Sequence, residues 1–320
     1  MILHSILTES DFTAIMKRKP DIYLSRKGIV MKPELFIKSE CINAEGPVWD
    51  EETGTLYFID VEAGRIFSYK DGKLLSWEAG EQVGCAVLKK GGGMIAALKS
   101  GLYEVNFPQK GKKFLCDPES DLPGNRFNDG KVDPAGRLLA GTMALSSKEG
   151  DGPTGALYCL DADGTVTKRI GNVYLSNGMA WSADGGTFYY IDTTARTVTR
   201  CRYDMLSGQI SNPEIIIRVP EEEGFPDGMT IDEEGMLWIA LWEGSAISRW
   251  NPDTGELLAK YELPVQNVSS CCFGGADMDT LFITTASQGT DMTEYPLAGN
   301  VFCMKPGVKG ALSHKYIRNT

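Results

Sequence analysis

The feature that most constrains this chain is that it repeats itself. From about residue 45 onward one unit recurs: a short apolar strand, a turn carrying Asp, Glu or Gly, a second strand rich in aromatics, then more strand and another turn. GPVWDEETGTLYFIDVEAGRIFSYK aligns with NGMAWSADGGTFYYIDTTARTVTRCRYD and with DGMTIDEEGMLWIALWEGSAISRWNPDTG, and DGKVDPAGRLLAGTM followed by GALYCLDADG fits the same frame. Weaker copies run from Gly84 and from Ser270. Units therefore begin near Gly46, Gly84, Gly130, Gly178, Gly228 and Ser270, roughly 38 to 50 residues apart, which is the period of a four-stranded propeller blade. A β-sandwich would need shorter units and would not produce so regular a period. The expected fold is all-β, a six-bladed β-propeller with a metal site in its central channel.

Residues 33–320 are expected to form this single domain. Residues 1–32 fall outside the repeat and read as an N-terminal extension, disordered or artificial, with no function assigned. PELFIKSEC, just after Met31, reads as a strand that closes the ring by joining the last blade.

In a propeller the first strand of each blade lines the channel, so residues just before those strands meet around one mouth. That address holds Glu45, the pair Asn128 and Asp129, Asn177, and Asp227, each followed by glycine. Asn-Gly and Asp-Gly are common turn dipeptides, and any one of these could be only a turn. Four oxygen-bearing addresses in register point instead to a hard-cation site, suiting calcium, with zinc, manganese or magnesium also acceptable. DEETG, DADG, DEEG and NPDTG lack EF-hand spacing and read as hairpin turns. Arg126, two residues before Asn128, can project over the same mouth and hold a polyhydroxylated or anionic substrate, or be a structural arginine. Trp49, Tyr57, Phe58, Trp181, Tyr189, Tyr190 and Trp238 lie on strands and read as inter-blade core.

Composition narrows the chemistry. The chain has only two histidines, His4 and His314, both outside the repeat, which argues against a Ser-His-Asp triad and a His-rich zinc site. A net charge of -11 argues against nucleic acid and against anionic membrane surfaces. No apolar run approaches membrane-spanning length and no secretory signal is read. Eight cysteines without CxxC spacing read as reduced, mostly buried thiols, and the expected location is cytoplasmic. A monomer is favoured.

The motifs EGPVWDEETGTLYFID, GNRFNDGKVDPAGRLLAGTMA, SNGMAW with FYYID, FPDGMTIDEEGMLWIA and SSCCFGG resemble the senescence marker protein/gluconolactonase/luciferin-regenerating enzyme family, in order, from about Pro33 to Val308. The resemblance implies a six-bladed propeller whose metal is held by Glu45, Asn177 and Asp227, with Arg126 and Asn128 contacting substrate. One departure stands out. After AGTMA the family's animal gluconolactonases carry two acidic residues, the second of which helps to hold substrate, where this chain has Leu145 and Ser146; Glu149 is the nearest substitute.

The expected activity is metal-dependent opening of small sugar lactones. The metal would polarise the carbonyl and a water would attack, with Asp227 as general base and Arg126 and Asn128 orienting the sugar. The alternatives are a calcium-binding regulatory protein, or a hydrolase of phosphotriesters or other lactones at the same centre.

Overall fold

Alternating apolar runs punctuated by Gly and Asp turns become short antiparallel strands, because each strand can bury one face and each turn residue tolerates the reversal. The computed structural model describes residues 23–25, 28–30, 32–107, 111–145 and 152–319. The chain divides into two compact units, 1–32 and 33–320. Of the first, the described part is a hairpin in which Tyr23–Ser25 pairs with Gly28–Val30; the rest of the expected extension, with His4, lies outside the described residues.

The second unit holds six four-stranded antiparallel sheets, each formed of strands consecutive in sequence except the last. Blade 1 begins with Ala44–Asp50, blade 2 with Val83–Leu88, blade 3 with Asn125–Val132, blade 4 with Ser176–Trp181, blade 5 with Phe225–Ile231 and blade 6 with Asn267–Gly274. Each of these first strands touches that of the next blade, and that of blade 6 touches that of blade 1, so the ring is closed. The only helix among the described residues is the single 3-10 turn Glu221–Glu223. The six-bladed propeller expected from the repeat is the observed architecture.

Closure uses the strand expected for it. Glu34–Ile37 forms the outer edge of blade 6, with Ile37 opposite Val301 and Leu35 opposite Phe302. Between blades lie six apolar clusters, one per interface. Between blades 4 and 5, for instance, Ile191 and Val198 pack on Ile239 and Leu241, all fully buried. Burying each such side chain contributes about 1.5–3 kcal/mol. Phe58, Trp181, Tyr189, Tyr190 and Trp238 are buried in these interfaces as expected, and Trp49 and Tyr57 pack half-buried against them.

The turns after the first strands are built on aspartates. In blade 3, Asp133 is wholly buried and accepts from the Ala135 and Arg137 amides at 3.0 and 2.7 Å, from Arg137 Nε at 2.7 Å and from the Tyr203 hydroxyl of blade 4 at 2.6 Å. Asp232 repeats the device in blade 5, accepting from the Met236 amide, Trp238 Nε1 and Arg249 Nε. Removing one member of a buried ion pair strands the other charge. Asp133→Ala is therefore expected to cost about 3–5 kcal/mol; thermal unfolding followed by circular dichroism should show a Tm lower by roughly 5–15 °C.

The C-terminal segment, which carries no repeat, straps the end of the ring opposite the candidate ligands. Tyr316 is buried between blades 2 and 3, its amide donating to Leu88 O and its hydroxyl to Asp161 O, both at 2.8 Å. Lys315 pairs with Asp50 of blade 1 at 2.6 Å.

Candidate metal and substrate site

Sequence spacing places the oxygen-bearing residues just before the first strands; the structure places them inside those strands, at β-bulges. The register with the second strand shifts between Glu45 and Val48, Phe127 and Gly130, Asn177 and Met179, and Pro226 and Met229. An extra residue at a bulge re-aims the side chain beside it, and here bulges in blades 1, 3, 4 and 5 present polar groups at one mouth. The glycines act in two ways. Gly46 takes a left-handed φ of 53° within the bulged strand. Gly178 instead gives room, since a Cβ there would stand 2.6 Å from Asp227 O of the next blade.

The mouth is strongly acidic for so buried a place. Glu45, Asp227 and Asp129 are 8%, 7% and 7% exposed, and among the described residues none of them is in an ion pair. Glu45 Oε2 accepts from the Gly46 amide at 2.5 Å, and Asn177 Nδ2 donates to Asp227 Oδ1 and, at 3.0 Å, to the Thr193 hydroxyl. Burial, then the charges of Asp227 and Asp129, push the Glu45 carboxyl well above its usual range. Burial, then Asp129, do the same to Asp227, against the Asn177 hydrogen bond and the charge of Arg126. Burial also raises Asp129, opposed first by Lys131.

Arg126 is 8% exposed; its Nη1 donates to Phe127 O and to Asn128 Oδ1, each at 2.8 Å. Asn128 in turn donates from Nδ2 to Ser176 O at 3.0 Å, tying blade 3 to the residue beside Asn177. The five residues singled out from sequence, Glu45, Arg126, Asn128, Asn177 and Asp227, thus all lie on first strands at this mouth. Asp129, one residue on, lines the channel below, in a cavity of about 90 Å³ shared with Lys131, Cys85, Cys271, Cys272 and His314.

Glu45, Asn177 and Asp227 fit a hard divalent cation: two carboxylates and a carboxamide, all oxygen donors, with buried negative charge that lacks a paired cation. Among the described residues no three His, Cys, Asp or Glu side chains cluster as a metal site. Position alone did not single out Thr193, which orients Asn177, or Lys131, which donates to Met229 O at 2.6 Å inside the channel. His314 reads from sequence as remote from the repeat, yet the terminal strap returns it to the channel. Leu145 is 39% exposed; Ser146 and Glu149 lie outside the described residues.

Residues 43–287 match the SMP-30/Gluconolactonase/LRE-like region family model. Regucalcin of Oryctolagus cuniculus is 38% identical over 296 residues, covering 89% of this chain and 98% of that protein. Among solved structures, a luciferin-regenerating enzyme superposes with a TM-score of 0.83 at 32% identity, covering 89% of this chain and 99% of that one. A calcium-binding protein, regucalcin, from Agrobacterium tumefaciens superposes with a TM-score of 0.83 at 27% identity, covering 89% and 97%.

Proposed function

Because the chain belongs to the SMP-30/gluconolactonase/LRE-like family, we propose that it is a metal-dependent lactonase that opens small sugar lactones. The observation that carries the reading is the pair of buried carboxylates, Glu45 and Asp227, the second held by Asn177, neither of them in an ion pair among the described residues. Bound there, a divalent cation would polarise the lactone carbonyl and offset the negative charge that develops on its oxygen. Asp227 takes the proton of the attacking water, as the buried carboxylate that Asn177 orients at the mouth. Asn177 donates to Asp227 Oδ1, which keeps a lone pair for the cation, and Oδ2 is left for the water. Arg126, anchored through Nη1, keeps its remaining N–H groups for ring and hydroxyl oxygens, and Asn128 fixes that anchor.

Calcium is the cation proposed, with zinc, manganese or magnesium as substitutes; a regucalcin described as calcium-binding shares the fold and 27% of the sequence. That likeness also supports a second reading, a calcium-binding regulatory protein. A hydrolase of phosphotriesters or other lactones would use the same centre. The proposed setting is cytoplasmic and monomeric, in line with eight cysteines that are all unpaired. Among the described residues no helix is long and apolar enough to cross a membrane.

The test is to strip metal and titrate calcium, zinc, manganese and magnesium, following hydrolysis of gluconolactone, an aliphatic lactone and a phosphotriester. Turnover should return with metal, and saturating metal at about 100 times its Kd should raise stability by about 2.7 kcal/mol. Glu45→Ala should lose both effects. Metal binding without turnover of any substrate would favour the regulator.

A further inference from the structure

A further carboxylate at this end of the ring lies outside the first strands. Glu62 sits on the blade 1 loop that follows Thr55–Asp60, the strand whose Ile59 pairs with Glu45. The loop is stiffly built. Asp60, 1% exposed, accepts from the Ile42, Asn43 and Ala63 amides at 2.9, 3.1 and 3.2 Å. Gly64 is so close to blade 2 that a Cβ would stand 2.3 Å from Glu81 O. On this loop Glu62 is half-buried, and Gln82 Nε2 of blade 2 donates to its Oε2 at 2.7 Å.

Arg126 is the neighbour on blade 3: Gly84, next but one to Gln82, is so close to that blade that a Cβ would stand 2.5 Å from Phe127 O, which accepts from Arg126 Nη1. Burial lowers its pKa, and against this act the charges of Glu62, Glu45 and Asp227, with Glu62 foremost. Among the described residues Glu62 and Arg126 form no ion pair. Arg126 Nε and Nη2 have no hydrogen-bond partner among the described residues, and Glu62 Oε1 has none either. A fixed acceptor and a donor with free N–H groups therefore flank blade 2, at the end of the ring that carries the candidate metal residues.

We propose that Glu62, steadied by Gln82, is a specificity-determining residue: with Arg126 it selects neutral, polyhydroxylated lactones. A hydroxyl both donates and accepts, so adjacent ring hydroxyls can give a hydrogen bond to Glu62 and take one from Arg126. An aliphatic lactone leaves both charged groups unpaired, and a site built for a hydroxyl discriminates strongly against an analogue lacking it. A lactone bearing its own carboxylate meets repulsion from Glu62. The inference rests on the lactonase reading for its kinetics, but the binding it asserts does not need turnover.

The experiment compares wild type, Glu62→Gln and Glu62→Ala on gluconolactone and δ-valerolactone, and measures binding of 1,5-anhydroglucitol, a polyol ring that cannot be hydrolysed, by calorimetry. The ratio of kcat/KM for gluconolactone to that for valerolactone should fall about tenfold in both variants, the worth of one hydrogen bond to a charged group. Anhydroglucitol binding should weaken by a similar factor. An unchanged ratio, whether the variants are fully active or equally impaired on both lactones, overturns the proposal and leaves the lactonase reading standing. Polyol binding that depends on Glu62 in a protein that opens no lactone overturns the lactonase reading and leaves Glu62 standing; no polyol binding and no turnover overturns both.

Discussion

Asp227→Asn is expected to reduce lactone turnover by roughly 10²–10⁴-fold, the range contributed by a positioned general base. Asp227→Ala should abolish turnover, because it also removes a carboxylate from the cation site. The two substitutions separate Asp227's roles. Asparagine keeps the shape of the side chain and an oxygen for the cation, and Glu45 and Asn177 remain in place. Metal affinity, read by calorimetry, should therefore fall much less in Asp227→Asn than in Asp227→Ala, whereas kcat should collapse in both. Substantial activity in Asp227→Asn with metal bound would remove Asp227 as the base and leave it a ligand only.

The propeller was legible because its period is local. The residues at which the units begin, from Gly46 to Ser270, all fall within the six first strands. The convergence of the candidate residues on one mouth could be read because they share that register. What spacing could not convey was the bulge: a dipeptide such as Asn177-Gly178 reads as a turn, and only the pairing partners, Ile191 opposite Asn177 and Tyr190 opposite Met179, show that the strand continues through it. Glu62 was hidden for a different reason. It lies in an ordinary-looking loop and gains its meaning from Gln82, 20 residues away, and from Arg126 on a third blade. The terminal strap is similar. ALSHKYIRN has neither period nor motif, and Tyr316 becomes core only because blades 2 and 3 leave a gap of its size.

The largest stability effect is expected at the seam of the ring. A chain beginning after Ile37 lacks the outer strand of blade 6, and three kinds of contact go with it. Ile37, 4% exposed, leaves an apolar cluster shared with Phe58, Phe282 and Val301. Phe36, whose ring lies 5.1 Å from those of both Tyr69 and Phe282, no longer bridges blades 1 and 6. The edge of Val301–Met304 loses its pairing partners at Val301, Phe302 and Cys303. Losing one buried aliphatic and one packed aromatic costs about 4–8 kcal/mol by analogy with truncations to alanine, a large part of a typical net stability of about 5–15 kcal/mol. An unpaired, apolar edge also invites association between chains. The shortened protein should thus melt at least about 10 °C lower and elute as aggregates on size exclusion. A chain beginning at Met31 keeps the whole strand, and if residues 33–320 are the folding domain it should melt with the full-length protein. Equal loss in both truncations would place the first 30 residues inside the folding unit; no loss in either would mean that the ring closes without its last strand.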